Sequence, residues 1–313
     1  MPKATRASFG EALVRVGEKD GNVVVLDADL SKSTMTVDFQ KKFPERHFEI
    51  GIAEQNMIGI AAGMALCGKT SVVTSFACFL IGRLETIRVA VAYNKTNVKL
   101  VGTHAGIGIG EDGTSQMGLE DVGAMRSLPN MTILQPADDI EAQQAVEWML
   151  RHKEPVYIRL TRQTMPDLHP AGYVFKVGVA DTVFEPSEKK GKLQATVFAS
   201  GGPIGEAVAA AKSLTEKGFS VRVVNAGTLL PFDKDAVGRA AKDSQRIVTV
   251  EDHNIVGGLG SAVCESLAEL GLACPVIRMG VSTFGESATG PELYKKYGLS
   301  AEHIADACLR NLD

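Results

Sequence analysis

The chain has 313 residues and a mass of 33.3 kDa, a length that corresponds to about two domains of ordinary size. Apolar residues make up 45% of the sequence and charged residues 22%, a composition that excludes a disordered chain, a collagen and a coiled coil. The 33 basic and 37 acidic residues give a net charge of -4, which argues against nucleic-acid binding, because phosphate contacts need a basic excess.

Short segments rich in β-branched residues alternate with longer helical patterns through the first half of the chain. This alternation is typical of strand–helix–strand units, which build mainly parallel sheets. Binding sites in such folds lie at the carboxyl ends of the strands. The predicted strands are 22–26, 47–50, 71–74, 98–101, 131–134 and 156–160, and the predicted helices are 8–18, 54–66, 81–93, 119–127 and 138–151.

The alternation stops between residues 166 and 192, where prolines and a polar run predict a linker, and it resumes afterwards. We therefore predict an α/β fold of two domains, residues 1–165 and residues 193–313, each a mainly parallel β-sheet flanked by helices. In the second domain the predicted strands are 195–199, 220–224, 246–250 and 275–279, and the predicted helices are 204–217, 233–242, 258–270 and a last one from residue 301.

Neither a membrane span nor a cysteine-based site is indicated. No apolar run reaches the roughly 18 residues that cross a bilayer, and the first ten residues carry no apolar signal core. We therefore expect a cytoplasmic protein. The five cysteines are an odd number without a CxxC pair, which favours neither a disulfide framework nor a zinc site.

Two glycine-containing segments match the residue patterns of nucleotide-binding loops, but the predicted elements around them are not those that such loops need. Residues 63–70 match the Walker A pattern, yet they follow a predicted helix and precede a predicted strand, the reverse of what a phosphate loop needs. Residues 108–113 match GxGxxG, but the helix that should follow at once is predicted only from residue 119. We expect a long loop with a binding role here, with His104 and Asp112 on it.

Three motifs follow one another in the first half of the chain: FEIGIAEQNM at 48–57, TSFACF at 74–79 and THAGIGIGEDG at 103–113. In this order they resemble the pyrimidine-binding domain of transketolases. In the second half, EDHNIVGGLGS at 251–261 resembles the transketolase C-terminal domain. The resemblance covers essentially the whole chain, and it implies that the cofactor is thiamin diphosphate.

The resemblance implies that Glu54 is a catalytic carboxylate that bonds a ring nitrogen of the cofactor's aminopyrimidine and shares a proton there. Phe76 and Phe79 match the aromatic wall around that ring, and Asp29 matches an acidic residue near the cofactor. Plainer interpretations exist for each residue. A glutamate suits the first turn of any helix through the helix dipole, and phenylalanines beside a strand suit a core.

A site for a phosphate-bearing sugar is also implied, with His104 and Asp112 as catalytic residues beside Glu54. Asp112 matches a residue that contacts a hydroxyl group of the donor sugar. Guanidinium groups suit a terminal phosphate because they donate hydrogen bonds in a planar fork. Taken singly, each of these residues is better explained as a solvated surface charge or an ordinary cap, and only together do they favour an anionic sugar. The implied substrate-binding residues are Arg6, Ser33, His104, Asp112, Gln116 and Arg162.

Two positions depart from the family pattern. Transketolases continue the glycine-rich loop as Gly-Pro-Thr-His, whereas this chain reads GTSQ at 113–116. Gln116 can form hydrogen bonds but, unlike a histidine, it cannot donate a proton with a useful pKa. Gly82 stands where many transketolases have a tyrosine. The sugar donor and acceptor therefore stay open, and they include modified or branched sugars.

One family element is missing from the sequence. Transketolases hold the cofactor's diphosphate through a divalent metal bound by a Gly-Asp-Gly segment and a later asparagine, and no Gly-Asp-Gly occurs in these 313 residues. The resemblance therefore implies the C-terminal subunit of a split transketolase, whose N-terminal partner subunit supplies the diphosphate domain and binds Mg2+ or Ca2+. We assign no metal ligand in this chain and expect an α2β2 heterotetramer with the cofactor between subunits.

The expected activity is the transfer of a two-carbon ketol unit from a ketose phosphate, or a similarly anionic or modified sugar, to an aldose. Two alternatives remain. The β subunit of a 2-oxo-acid dehydrogenase has a similar length and domain order, although the loop at 103–113 follows transketolases. A non-catalytic assembly subunit would have kept the fold alone, although Glu54 and the aromatic pair are intact.

Overall fold

A computed structural model describes residues 2–188 and 191–310 of the chain. All ten strands predicted from the sequence are present, with ends that differ by a few residues at most. In chain order the strands are β1 (Val23–Asp27), β2 (His47–Glu49), β3 (Thr70–Phe76), β4 (Val98–Thr103), β5 (Thr132–Leu134), β6 (Val156–Arg159), β7 (Asp181–Phe184), β8 (Ala195–Ser200), β9 (Val221–Asn225), β10 (Thr228–Leu230), β11 (Ile247–Asn254) and β12 (Val276–Val281).

The helices cover the faces of the sheets, and three short 3₁₀ turns and one π-helical turn interrupt the loops and helices. The 3₁₀ turns are Pro44–Arg46, Ile107–Ile109 and Thr114–Gln116, and the π-helical turn is Ile87–Tyr93. In chain order the α-helices are α1 (Thr5–Gly17), α2 (Ser31–Thr34), α3 (Val37–Lys42), α4 (Glu54–Leu66), α5 (Ala77–Ile81), α6 (Leu84–Thr86), α7 (Asp121–Arg126), α8 (Asp139–Arg151), α9 (Ile204–Glu216), α10 (Lys234–Asp243), α11 (Leu259–Glu269), α12 (Gly290–Lys296) and α13 (Ala301–Leu309).

The first sheet has seven strands in the order β10-β5-β6-β4-β3-β1-β2, and all neighbours are parallel except β10 and β5. Every residue of β1, β3 and β4 is buried, which is the pattern of a parallel sheet with helices on both faces. Because these three strands are neighbours and parallel, the loops that leave their carboxyl ends meet at one edge of the sheet.

The second sheet has five strands in the order β12-β11-β8-β9-β7, of which only β7 runs antiparallel to its neighbour. β7 lies inside the segment 166–192 that we predicted to be a linker. The predicted α/β fold with two mainly parallel sheets is confirmed, and residues 181–184 of the predicted linker form the edge strand of the second sheet.

The two units share a core. β10 follows β9 in the chain, yet it pairs with β5 of the first sheet, with Leu230 opposite Ile133. One cluster of buried apolar side chains includes Leu100 and Ile133 from the first unit together with Leu229 and Val263 from the second. The second unit is therefore packed firmly against the first, and it can support loops of the first unit.

Longer helices follow the sequence pattern, and shorter elements do not. The predicted helix 54–66 matches α4 residue for residue, whereas the predicted helix 81–93 is divided, because α5 ends at Ile81 and α6 and the π-helical turn follow after a break. Short elements take their stability from tertiary contacts, so their local sequence signal is weak. The unpredicted elements are α2, α3, α12, β7 and β10.

The Walker A-like segment is the junction of a helix and a strand, as the sequence order indicated. α4 ends at Leu66, Gly68 has a left-handed φ of 90°, and β3 begins at Thr70. The five cysteines are free thiols. In the described part of the chain, no helix is both long and apolar enough to cross a membrane.

Candidate active site

The carboxyl edge of β1, β3 and β4 carries the residues that the sequence singled out. Asp29 follows β1, Phe76 ends β3, and His104 is the first residue after β4. Glu54 is the first residue of α4, which leads back along the same sheet. A parallel sheet gathers such loop residues at one edge although they are distant in sequence.

Glu54 is a buried carboxylate beside an open cleft. Only 4% of the residue is exposed, and its Oε1 accepts a hydrogen bond of 3.2 Å from the hydroxyl of Ser75 on β3. The cleft has a volume of 470 Å³ and is also lined by Gln55, Asn56 and Arg83. A carboxylate has about four lone-pair positions, so Glu54 keeps acceptor capacity for a ligand in this cleft.

Three rings connect the Glu54 side of the edge to the glycine-rich loop. Phe76 stacks on Phe79 with ring centroids 5.5 Å apart and planes 6° apart, and on His104 with centroids 3.8 Å apart and planes 22° apart. Phe76 is buried, and Phe79 is partly exposed. The two phenylalanines are therefore an aromatic wall whose inner member supports His104.

His104 is held neutral and in one tautomer. Its Nε2 lies 3.0 Å from Nη1 of Arg6 and its Nδ1 lies 2.9 Å from Oγ1 of Thr103. A guanidinium only donates, so Nε2 accepts and Nδ1 carries the hydrogen and donates to Thr103. Burial, reinforced by the charges of Arg6 and Arg162, lowers the pKa of His104 to about 3. In this state His104 orients Arg6 and carries no charge.

Two guanidinium groups flank His104. Nη1 of Arg6 also donates to the backbone carbonyl of Ser33 at 2.8 Å, and Nη1 of Arg162 donates to the carbonyl of Ile109 at 2.7 Å. Asp112 Oδ1 lies 3.6 Å from Arg162 Nη1, and both side chains are about one-third exposed. Burial and the nearby charge of Arg162 lower the pKa of Arg6, and Asp112 raises it. Two like charges this close create a positive potential that favours an anion.

The other predicted site residues lie around this group. Asp29 is exposed in a left-handed turn with φ 59°, and its backbone N–H donates to Glu49 at 2.7 Å; among the described residues no hydrogen bond joins it to Arg6 or His104. Gln116 ends a 3₁₀ turn, and its carbonyl accepts a hydrogen bond from the thiol of Cys78. Burial raises the pKa of Cys78 to about 12, so that thiol stays protonated.

Gly82 is exposed beyond α5, and its lack of a side chain has no steric cause in this chain. A Cβ placed there would lie 3.5 Å from the carbonyl oxygen of Phe79 and 3.6 Å from that of Cys78, which are ordinary contacts. The position would therefore accept a larger residue.

Comparisons with known proteins identify both halves of the chain. Residues 1–167 match the transketolase pyrimidine binding domain, and residues 187–304 match the transketolase C-terminal domain. The chain belongs to the transketolase family. Membership of this family implies dependence on thiamin diphosphate.

Several relatives match this chain along nearly their full length. A putative transketolase C-terminal section from Methanocaldococcus jannaschii is 41% identical and aligns over 99% of this chain and 96% of its own length. A solved structure described as a split gene transketolase, inactive beta4 tetramer, is 40% identical, has a TM-score of 0.87 and matches 100% of this chain and 99% of that chain. A 6-deoxy-6-sulfo-D-fructose transketolase subunit from Clostridium sp. (strain MSTE9) is 36% identical over 96% of this chain and 92% of its own.

The transketolase C-terminal motif at 251–261 has structural roles at the boundary of the two units. Glu251 accepts hydrogen bonds from the first backbone N–H groups of α11. Asp252 pairs with Arg159 of β6 at 2.9 Å, and Arg159 also pairs with Asp121 of α7 at 2.9 Å. His253 Nε2 accepts from the backbone N–H of Gly123. The motif was identified from the sequence, but its partners in the first unit became visible only in the fold.

A second ionic group, which the sequence analysis missed, also joins the two units. His169 lies between Asp138 and Asp181, with each ring nitrogen 2.9 Å from a carboxylate oxygen. Glu141 of α8 accepts from Asn225 of β9 at 2.9 Å. Burial opposes the charge of His169, but the hydrogen bonds to Asp138 and Asp181 and the charge of Glu141 raise its pKa to about 10. With its proton, His169 and the carboxylates around it form an ion pair network between the two units.

Proposed function

We propose that this chain is the C-terminal subunit of a two-subunit transketolase that moves a two-carbon ketol unit from a ketose phosphate, or a similarly anionic or modified sugar, to an aldose. The observation that carries the proposal is the direct contact between the two halves of the site. His104 stacks on Phe76 of the aromatic wall while its Nε2 accepts from Arg6. An anion-binding group thus lies next to a wall and a buried carboxylate that suit thiamin diphosphate.

Residues at the open cleft fit the cofactor's aminopyrimidine. Glu54 would bond a ring nitrogen and hold a proton there, and Phe76 and Phe79 would set the plane of the ring. Asp29, on the turn after β1, would lie near the cofactor. When bound, thiamin diphosphate supplies the nucleophilic carbon of its thiazolium ring, and the protein supplies orientation and a water-poor surface.

The sugar's anionic group would bind between Arg6 and Arg162. Each guanidinium uses Nη1 for a backbone carbonyl, which leaves other N–H groups for phosphate or sulfonate oxygens. His104 would contribute to sugar binding by orienting Arg6. Asp112 would accept a hydrogen bond from a hydroxyl group of the donor sugar. Ser33 contributes its carbonyl to the position of Arg6, and its hydroxyl stays available for substrate. Gln116, at the edge of the site, would contact the sugar near its reacting carbonyl.

A partner subunit would complete the site. The cleft beside Glu54 is open to solvent, and Ile52 next to it is 83% exposed, so this face offers an apolar side chain that a partner could cover. No Gly-Asp-Gly segment is present in the sequence. We propose that an N-terminal transketolase subunit covers this face, supplies the diphosphate domain with Mg2+ or Ca2+, and forms an α2β2 heterotetramer. The inactivity of the related beta4 tetramer supports this need for a partner.

The test uses this chain together with a chain that carries the Gly-Asp-Gly segment, thiamin diphosphate and Mg2+. We expect ketol transfer from a ketose phosphate and no decarboxylation of pyruvate. Decarboxylation without ketol transfer would favour the 2-oxo-acid dehydrogenase subunit instead.

The variant Glu54→Gln tests whether the site is catalytically active in that complex. We expect it to lower kcat about 100-fold or more, because proton transfer by a positioned carboxylate contributes that much. The control is Glu45→Gln in the exposed turn Pro44–Arg46, which makes the same chemical change away from the site. Full activity of Glu54→Gln would favour a non-catalytic assembly subunit.

A further inference from the structure

The glycine-rich loop at residues 104–117, which we call the substrate loop, is held from the C-terminal unit. The segment at residues 282–289, which we call the anchor segment, runs beside it. Ser287 Oγ donates to the carbonyl of Glu111 at 2.6 Å, and Thr114 Oγ1 donates to the carbonyl of Gly285. Met117 packs so closely on Gly285 that an added Cβ would lie 2.3 Å from its sulfur.

The substrate loop needs external support because of its composition. Gly106, Gly110 and Gly113 have left-handed φ values of 82°, 85° and 80°. Glycine loses more conformational freedom on ordering than any other residue, so a loop with several glycines is costly to hold in one conformation. Asp112 lies on the exposed part of this loop. Its carboxylate contacts Arg162, and the residue before it, Glu111, accepts the hydrogen bond from Ser287.

The anchor segment is itself tied to α12. The hydroxyl of Tyr297 donates to the carbonyl of Phe284 at 3.1 Å, and Lys296 pairs with Glu286 at 2.7 Å. The helix begins with a capping box in which the Thr289 side chain and Glu292 satisfy each other's backbone groups. A contact with the anchor segment is therefore a contact with a fixed part of the C-terminal unit.

We propose that Ser287 is a positioning residue for substrate recognition, which holds the Glu111 carbonyl so that Asp112 and Gln116 face the sugar. The inference rests on the proposed function and adds to it a role for the C-terminal unit. Among the described residues, the Ser287 hydroxyl hydrogen-bonds to the Glu111 carbonyl and to no residue of the cofactor wall or the guanidinium pair, so it acts through the substrate loop. Removing the Ser287 hydroxyl leaves the chemical step intact and lowers the population of the substrate-binding conformation of the loop. We therefore expect loss of Ser287 to raise the donor KM and to leave kcat unchanged.

The test compares Ser287→Ala with two matched variants in the two-subunit complex. Ser287→Thr keeps the hydroxyl and should restore the contact, and Ser282→Ala removes an exposed hydroxyl elsewhere on the anchor segment. With a ketose phosphate as donor, we expect Ser287→Ala to raise the donor KM about three- to tenfold, the equivalent of one net hydrogen bond, with kcat within about twofold. The other two variants should match the wild type.

A second measurement does not depend on activity. Amide hydrogen exchange of residues 107–116, measured on the complex without sugar, should become about threefold faster or more in Ser287→Ala and stay unchanged in Ser287→Thr. Unchanged exchange would overturn the proposed anchor, and faster exchange with an unchanged KM would overturn its role in recognition. A complex without ketol transfer would refute the proposed function, while the exchange data would still decide whether Ser287 holds the loop.

Discussion

His169 should make the stability of this protein fall as the pH rises above neutrality. The ring lies between the carboxylates of Asp138 and Asp181, and its backbone N–H donates a further bond of 2.7 Å to Asp138. Only 7% of the residue is exposed. Because β7 carries Asp181 and the loop before α8 carries Asp138, the protonated ring joins the two units. Deprotonation would leave two carboxylates facing each other across a neutral imidazole.

The pKa of His169 determines the direction and the size of this pH dependence of the unfolding free energy. The pKa of His169 rises from 6.5 to about 10 on folding, so its contribution to stability is complete below pH 6.5 and is lost as the pH rises through 10. One proton changes the unfolding free energy by at most about 1.4 kcal/mol per pH unit, which gives an upper limit of about 5 kcal/mol over this window. Burial raises the pKa of Glu141 to about 7, so its proton is lost in the lower part of the range.

The titration of Glu141 acts in the same direction. Its pKa is raised from 4.5, so its contribution is complete below pH 4.5 and lost as the pH rises through 7. Measurements above neutrality therefore report mainly His169. The neighbouring Tyr173, whose hydroxyl donates to Glu141 at 3.1 Å, also has a raised pKa and keeps its proton in this window.

Urea unfolding between pH 6.5 and 10 measures the effect, with fluorescence of the single tryptophan, Trp148 on α8, as the signal. We expect the wild-type unfolding free energy to fall across this range. His169→Gln, which can still form hydrogen bonds but has no charge, should be less stable at pH 6.5 and should approach the wild type near pH 10. The control His303→Gln changes a ring on α13 that hydrogen-bonds to Ser300, the residue before this helix, and should keep the wild-type dependence.

Two results would refute this reasoning. A wild-type unfolding free energy that stays flat from pH 6.5 to 10 would mean that His169 is not protonated in the folded protein. An equally steep fall in His169→Gln would assign the dependence to other groups.

Three further substitutions probe the site and its support. Arg162→Lys keeps the charge but loses the planar fork, so the donor KM should rise about tenfold with little change in kcat; an unchanged KM would contradict anion binding there. Arg159→Met leaves the carboxylates of Asp121 and Asp252 buried and unpaired and should lower the unfolding free energy by about 3–5 kcal/mol in urea titrations, so wild-type stability would argue against the buried pairs. Asp27→Asn replaces by an amide a carboxylate that accepts hydrogen bonds from one backbone N–H and three threonine hydroxyls. The substitution should lower the unfolding free energy by about 1–3 kcal/mol, and an unchanged melting temperature would disprove that network.

Secondary structure was predictable wherever the local pattern was long and regular. The run at 54–66 has helical spacing from end to end and became α4 as predicted. The strands at 71–74 and 98–101 were identified because each is a short run rich in β-branched residues. β7 and β10 were not predicted, because each has only three or four residues and is stabilised by a neighbour that is distant in sequence.

The candidate site was identified from motifs, and its geometry was not. The sequence marked Glu54, Phe76, His104 and Asp112 by resemblance, and their roles stay proposals until they are tested. It could not indicate that His104 would be neutral, since that follows from burial and from two guanidinium groups that approach only in the fold. It also gave no sign that Ser287 lies against the substrate loop.

By itself, the sequence determined what depends on neighbours along the chain: the alternating strands and helices, the two α/β units, the transketolase family and the missing Gly-Asp-Gly segment. The tertiary structure decided which distant groups meet. The pairing of β10 with β5, the position of His169 between two carboxylates, and the contact of Arg6 with His104 all join residues far apart in sequence. Such contacts form because burial makes unpaired charges and strand edges costly, and only the complete fold shows which partners satisfy them.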